Sequence, residues 1–370
     1  MKVLVTGGAG FIGSHLVDAL IEEGHTVRVL DNFEPQVHGT HRPAYLNRHA
    51  EYVEGDVRDR TAIRNALRDV EVVFHQAALV GIGQSMYDIE RYISMNTLGT
   101  AVLLDVIIND HVPLKKLIVA SSMSIYGEGQ YACATCGMVA PPLREDVQLR
   151  QHDWEMRCPR CHAVVQPHAT SEDKPLIPTS VYAVSKRDQE ELCLSLGRAY
   201  HLPTVALRYF NVYGSRQALS NPYTGVCAIF SARIKNQHPP LIFEDGQQTR
   251  DFIHVRDVVR ANLLVMRDAR ADFRAFNVGT GHPVSIHAVA TRLAELYRIP
   301  VQAQMTGTFR AGDIRHCYAD NAALSSLDFH PQVTFEEGLR ELVAWGERVT
   351  AEDRVEQAAH ELSTRGLTQG

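Results

Sequence analysis

The sequence predicts an α/β protein: a doubly wound parallel sheet with a smaller α/β lobe and a cysteine-bearing insertion. Three observations predict it. Short, almost continuously apolar strands alternate with amphipathic helices through the first half, as in a parallel sheet covered on both faces. A glycine-rich turn joins the first strand to the first helix. Two Cys-x-x-Cys pairs then break the rhythm within 130–175.

Taken in order, "KVLVTG" (2–7) reads as a strand and "SHLVDALIEEG" (14–24) as a helix closed by Gly24. "TVRVLD" (26–31) and "EYVEGDV" (51–57) are the next strands, and a helix opens at Asp59, which suits an N-cap. "EVVFHQAA" (71–78) is the fourth strand, followed by a helix near 96–109 and the strand "KKLIVASS" (115–122). Beyond the insertion, 180–200 reads as a helix and 203–214 as a strand. The pattern is looser from 215 to 345, which suits a smaller lobe, although 249–268 reads as a strand and helix returning to the large one. Residues 346–370 read as a polar tail, frayed over 351–370. The expected division is therefore 1–214, holding the insertion 130–175, then 215–345 and the tail.

The 370 residues are 45% apolar and 22% charged, an ordinary globular composition. A net charge of −6 and a pI near 6.3 give no basic field for nucleic acid or an anionic membrane. "MKVLVTGG" is already a strand, so no secretory leader is expected, and no uninterrupted apolar run is long enough to cross a bilayer. The expectation is a cytoplasmic protein. In a reducing compartment, paired Cys-x-x-Cys reads as metal before disulfide.

Gly7, Gly10 and Gly13 have G-x-x-G-x-x-G spacing, with Phe11 and Ile12 opening the helix. Such glycines let the backbone approach a pyrophosphate, and the helix N-terminus offers free N–H donors and partial positive charge. Asp31 ends the second strand, followed by Asn32. A carboxylate there accepts from ribose hydroxyls and repels a 2′-phosphate, which favours NAD over NADP. Asp56 and Val57 follow the third strand, where Asp56 can meet an adenine edge or merely cap the surface. Gln76, Ala77, Ala78 and Asn96 line a cofactor groove or are simply well packed.

"VASSMSIYG" (119–127) follows a strand at the carboxyl edge, where α/β sheets bind ligands. "YAVSK" places Tyr182 and Lys186 on one helix face. A phenol titrates near ~10, and a neighbouring ammonium brings that down so that it can act as a base. Ser122 would orient a substrate alcohol. Tyr182, Lys186 and Ser122 together could take a proton from an alcohol while its carbon gives up hydride.

Here the chain resembles the extended short-chain dehydrogenase/reductase family, specifically its nucleotide-sugar epimerases and dehydratases. "TGGAGFIG", "SSMSIYG", "YAVSK", "RYFNVYG", "QTRDFIHVRD", "FNVGTG" and "RAGDIRHCYAD" match in the family's order, over residues 1 to about 345. The resemblance implies a Rossmann-like fold and a tightly held NAD, reduced and reoxidised within one turnover. It implies a nucleotide-diphosphate sugar as substrate and a homodimer built on helices near 96–109 and 181–200. Dehydratases of this family carry an Asp–Glu pair where this chain has Met123 and Ser124. Neither can serve as acid or base for elimination, so 4-epimerisation is expected through a transient 4-keto sugar. By the same resemblance Arg250, Arg310 and Arg315 bind phosphate, Asp313 takes the nucleotide ribose, and Ser124 and Asn211 lie at the substrate. Cys317 stands where some 4-epimerases carry a bulky tyrosine; it leaves room for a different sugar or is a small packing residue. "GQSMYDIERYISMNTLGT" and the cysteines after "SIYGEG" are similar to bacterial dTDP-L-rhamnose 4-epimerases, which form dTDP-6-deoxy-L-talose. UDP-glucose or UDP-N-acetylhexosamine epimerisation stays open.

Cys133, Cys136, Cys158 and Cys161 have the spacing of a zinc-ribbon-like, four-thiolate site. Four thiolates leave no open coordination position, so the zinc is expected to be structural. Because zinc ribbons also bind nucleic acid, the competing class is an NAD-binding scaffold or regulator. Within 130–168, Arg144, Arg150, Arg157 and Arg160 are offset by Glu145, Asp146, Asp153 and Glu155, so no basic stripe appears. The insertion separates Ser122 from Tyr182, which places it at the sugar pocket as an expected cap or selector.

Overall fold

The computed structural model describes residues 1–369. Its large sheet has seven parallel strands, in spatial order Arg274–Val278, Thr204–Tyr209, Lys116–Ser122, Val72–His75, Lys2–Thr6, Thr26–Asp31 and Glu51–Glu54. The strands are rich in β-branched residues and mostly buried on both faces, which explains their continuous apolar runs. Strand order reverses between Lys2–Thr6 and Val72–His75, which opens a crevice at their carboxyl ends.

One face packs under helices Phe11–Glu22 and Val255–Arg267, around Leu16, Leu20, Val258 and Phe276. The other packs under Arg60–Ala66, Gly99–Asn109 and Val181–Ala199, around Ile63, Leu103 and Cys193. Asp59 caps its helix by accepting from the Thr61 and Ala62 amides, and Ser180 caps the helix of Tyr182 through the Ala183 amide.

The smaller lobe has a sheet of Asn211–Tyr213, Thr249–His254, Pro283–Ser285 and His316–Cys317. Helices Val226–Lys235, Ile286–Tyr297 and Phe335–Arg348 cover its core. Residues 203–214 are not one strand. Thr204–Tyr209 stays in the large sheet, while Asn211–Tyr213 pairs with Phe252–His254 in the small one. The expected return to the large lobe at 249–268 is made by the helix and not by the strand. Arg274–Val278, within the span read as the smaller lobe, forms the edge of the large sheet.

The polar tail is a correction. Helix Val355–Thr364 buries Ala358 and Leu362, and Thr368–Gln369 pairs with Phe309–Arg310. The insertion is a three-stranded antiparallel sheet, Gly137–Val139, Gln130–Cys133 and Gln166–His168, with the short helix Asp146–Arg150. One helical run, Ile89–Asn109, is long and apolar enough by composition to cross a membrane. It packs instead on the large sheet and on helix Val181–Ala199, and its centre winds as a π-turn at Ile93–Leu98.

Candidate active site and cysteine cluster

The glycine turn closes the crevice. Gly7 has φ +69°, and a side chain there would meet the Ala77 backbone at 2.8 Å, so the first and fourth strand ends approach closely only with glycine. A Cβ on Gly13 would overlap the Gly7 carbonyl. Gly10 caps helix Phe11–Glu22 without a side-chain hydrogen bond, and Phe11 and Ile12 form its half-buried first turn. Helix-end amides and a tightly folded turn whose glycines carry no side chains fit a dinucleotide pyrophosphate. The buried Asp31 carboxylate accepts from the Ala9 and Phe33 amides, both at 2.9 Å, fixing the turn.

Asp56 is ion-paired with Arg58 at 2.8 Å and bonded weakly by Asn32 at 3.4 Å. Hydrogen bonding from Arg58 holds its carboxyl below the usual range. Val57 is buried against Gly99. The Gln76 amide donates to Tyr209 Oη at 3.1 Å and the Ala77 amide to Thr6 Oγ1 at 3.3 Å, while Ala78 lies half-buried beside them. Asn96, on the π-turn, is fully buried. It accepts from the Leu79 amide at 2.8 Å and donates to Leu79 O at 3.1 Å and Ser185 Oγ at 2.9 Å. Its polar atoms are filled by protein, so it braces the groove.

Ser122, Tyr182 and Lys186 come together at the carboxyl end of Lys116–Ser122. Burial pushes the Tyr182 phenol up, and a hydrogen bond with Ser122 offsets part of that. Ser122 Oγ also accepts from the Ser124 hydroxyl at 2.9 Å and amide at 3.2 Å. The Tyr182 amide donates to Ser85 Oγ at 3.0 Å. Lys186 is buried and donates to Ala120 O at 2.6 Å and Gln189 Oε1 at 2.8 Å. Burial pulls its ammonium down to about 7.

Sequence reasoning missed the network behind Lys186. Gln189 Nε2 donates to Thr100 Oγ1 at 2.8 Å, which itself donates to Asn96 O at 2.6 Å. His75 lies between Thr6 Oγ1 at 2.8 Å and Thr100 Oγ1 at 2.9 Å, and burial lowers it to about 3, so it is neutral. Thr100 gives its proton to the Asn96 carbonyl, so it accepts from Gln189 Nε2, which also lies 3.3 Å from His75 Nε2. The one available signal was that Gln189 follows Lys186 by three residues on a helix.

The substrate-side residues divide. Asn211 Oδ1 is buried and has no hydrogen-bond partner among the described residues. Arg250 donates to the carbonyls of Thr249, Ile314 and Arg315 at 2.7–3.0 Å. Arg310 pairs with Asp313 at 2.8 Å and stacks on Phe243. Arg315 is a correction: it has no exposed surface and is ion-paired with Glu155, Glu244 and Asp245 at 2.6–3.0 Å. Three carboxylates hold its two terminal nitrogens while its buried Nε has no hydrogen-bond partner among the described residues, so it braces the lobe and presents no free guanidinium fork to a phosphate. Cys317 is buried with Met123, Tyr126, Phe210 and Ala319, and that burial raises its thiol to about 12.

The Sγ atoms of Cys133, Cys136, Cys158 and Cys161 lie within 4.8 Å of one another, with Cys133 and Cys161 3.5 Å apart. Four thiolates so placed match a tetrahedral site with metal–sulfur bonds near ~2.3 Å. His162 and His168, both exposed, lie outside the cluster.

The NAD dependent epimerase/dehydratase family matches residues 3–144 and 159–279. The dTDP-L-rhamnose 4-epimerase of Burkholderia thailandensis is 35% identical over 348 residues, covering 93% of this chain and 94% of that protein. The UDP-glucose 4-epimerase of Thermotoga maritima, solved with UDP-glucose, superposes with a TM-score of 0.77 at 32% identity, covering 94% of this chain and 99% of the other. The UDP-glucuronic acid 4-epimerase of Bacillus cereus, solved with UDP-glucuronic acid and NAD, gives 0.78 at 27% identity, covering 95% of this chain and 100% of the other.

Proposed function

The chain belongs to the NAD dependent epimerase/dehydratase family, and from that premise we propose that it is a nucleotide-sugar 4-epimerase that keeps its NAD through turnover. The observation that carries this is Tyr182 and the buried Lys186 on one helix face beside Ser122, with Met123 and Ser124 in place of an acid–base pair. The glycine turn and Asp31 would hold NAD, which would supply the hydride acceptor and donor for sugar C4. The protein's work is proton transfer and positioning. Ser122 orients the 4-hydroxyl, Tyr182 removes its proton and later returns it, and Lys186 supplies positive charge beside the phenolate. The glycine turn and Asp31 hold the dinucleotide, while Asn211, Arg250, Arg310 and Asp313 hold the nucleotide diphosphate.

We assign dTDP-L-rhamnose as the substrate, on the similarity to the Burkholderia enzyme. UDP-glucose is the second reading, favoured by the Thermotoga structure. Cys317, buried in a small apolar cluster, is a packing residue. The four cysteines hold a structural zinc. Exposed Ile89, Leu98 and Val184, on helices Ile89–Asn109 and Val181–Ala199, support a homodimer through those helices.

The test is a product assay without added NAD. The purified protein is incubated separately with dTDP-L-rhamnose, UDP-galactose, UDP-N-acetylglucosamine and dTDP-glucose, and products are identified by NMR. A C4-inverted sugar names the substrate. A 4-keto-6-deoxy product from dTDP-glucose makes the protein a dehydratase. No conversion even with NAD supplied rules out all of these substrates.

A further inference from the structure

We propose that the cysteine insertion braces the nucleotide-binding segment 307–318 instead of capping the sugar, so that its metal sets the affinity for the nucleoside diphosphate. This rests on the reading that Arg310 and Asp313 hold the nucleotide.

Residues 145–158 of the insertion fall outside the family match, and they supply Leu149, Trp154 and Glu155 to the contacts with this segment. Leu149 and Trp154 enclose Phe309, and these three residues form a separate small core. Trp154 and Phe309 meet edge to face, 6.5 Å between centroids. Arg144 forms a buried two-pronged pair with Glu244 at 2.8 and 2.9 Å, and also donates to Trp154 O at 3.0 Å. Glu155 accepts from the buried Arg315 at 2.8 Å. All these contacts point at 307–318 or at the Glu244–Asp245 turn beside it.

Two continuous routes join the cysteines to that segment. Along the first, Cys158 shares a core with Met156, Tyr131, Cys133, Val139 and Val165, and Met156 is followed back along the chain by Glu155 and Trp154. Along the second, Tyr131 Oη donates to Glu128 at 2.6 Å, and the same carboxylate accepts from the Arg315 and His316 amides at 2.7 and 2.8 Å. The first route is packed at Met156 and Trp154, with Glu155 half exposed between them, and the second runs through the buried Tyr131 and Glu128; packed side chains transmit a displacement where a loose loop would absorb it.

The end of the segment at His316–Cys317 is paired with Thr249–Arg250, but its Phe309–Arg310 end has little support of its own. Phe309–Arg310 is a two-residue strand whose ladder partner is Thr368–Gln369. The insertion, in turn, has a core of six buried residues, two of them metal ligands. A core so small holds its shape through the metal. Losing the metal would slacken Trp154 and Glu155, and with them Arg310 and Asp313. The glycine turn and Lys186 stand on the large sheet, outside both routes.

The test uses the full-length, NAD-loaded protein in four forms: wild type, zinc-stripped by chelation, Trp154→Ala and Glu155→Gln. UDP and dTDP are titrated into each by calorimetry, and NAD and zinc contents are measured alongside. The stripped and Trp154→Ala forms should bind the diphosphate roughly tenfold more weakly with NAD content unchanged. Trp154→Ala should keep its zinc, and zinc refilling should restore the stripped form. Should stripping unfold the protein, the two substitutions decide alone. Unchanged diphosphate affinity in Trp154→Ala and Glu155→Gln, or loss of NAD in step with it, overturns the brace. A wild type that binds neither diphosphate overturns the nucleotide-sugar reading itself.

Discussion

Lys186 donates both to the Ala120 carbonyl and to Gln189, and its burial lowers the ammonium to about 7 from an ordinary 10.5. Between those values the unfolded chain binds the proton and the folded chain does not, so this group's contribution makes stability rise with pH across that window. Lys186→Met should remove the rise: the wild-type urea midpoint should gain on the variant's between pH of about 7 and about 9.5. Gln189 positions Lys186, with its amide direction fixed by Thr100. Gln189→Leu should lower kcat at least about tenfold with KM little changed, and Gln189→Glu should shift the pH–rate profile upward by stabilising the ammonium. A Gln189→Leu profile and kcat identical to wild type would make Gln189 a packing residue. The placement of Tyr182 and Lys186 on one helix and of Asp31 at a strand end was legible because residue spacing and strand pattern fix it. Gln189 and His75 were not, since a polar residue on an amphipathic helix or at a strand end looks the same whether it is solvated or wired into a buried network. Arg315 misled for the opposite reason: its carboxylate partners Glu155 and Glu244 are distant in sequence.

At the scale of the element, helix Val355–Thr364 places Glu361 between Tyr87 Oη at 2.7 Å and Tyr223 Oη at 2.6 Å, while Leu362 packs on Gly83. The Ala311 amide donates to Leu367 O at 3.0 Å, beside Arg310. This helix therefore sits between the loop holding Ser85, which accepts from the Tyr182 amide, and the nucleotide segment. Leu362→Asp should free it, seen as faster amide exchange over 355–369. It should raise KM for the sugar nucleotide with kcat within a factor of about two. Unaltered exchange would show that the helix is held elsewhere. The helix hid in the sequence because only Ala358 and Leu362, four residues apart, are buried in it, and so narrow a stripe reads as polar. Four of the first five strands were legible because burial on both faces writes a continuous apolar run; the edge strand Glu51–Glu54 is only half-buried. The break at Phe210 was not, because two strands in different sheets followed each other without a turn residue.

At the scale of the whole molecule, insertion and lobe meet at Arg144, Glu244 and Arg315, all less than a tenth exposed. Glu244→Ala leaves the Arg144 charge buried without its carboxylate and should cost about 3–5 kcal/mol of unfolding free energy. Denaturant melts should show that loss, and a change below about 1 kcal/mol would mean that water or Asp245 takes over. The two-lobed architecture was legible in outline, but not the interleaving that gives Arg274–Val278 to the large sheet. That interleaving has a consequence for how the protein is made. Thr204–Tyr209, apolar and rich in sheet-forming residues, emerges from the ribosome long before the strand that covers its edge. At about 5–20 residues per second the edge stays bare for several seconds. Each nascent chain thus presents an open template to its neighbours on a polysome, and slower translation or chaperone capture across residues 210–273 should govern how much of the protein reaches the soluble fraction.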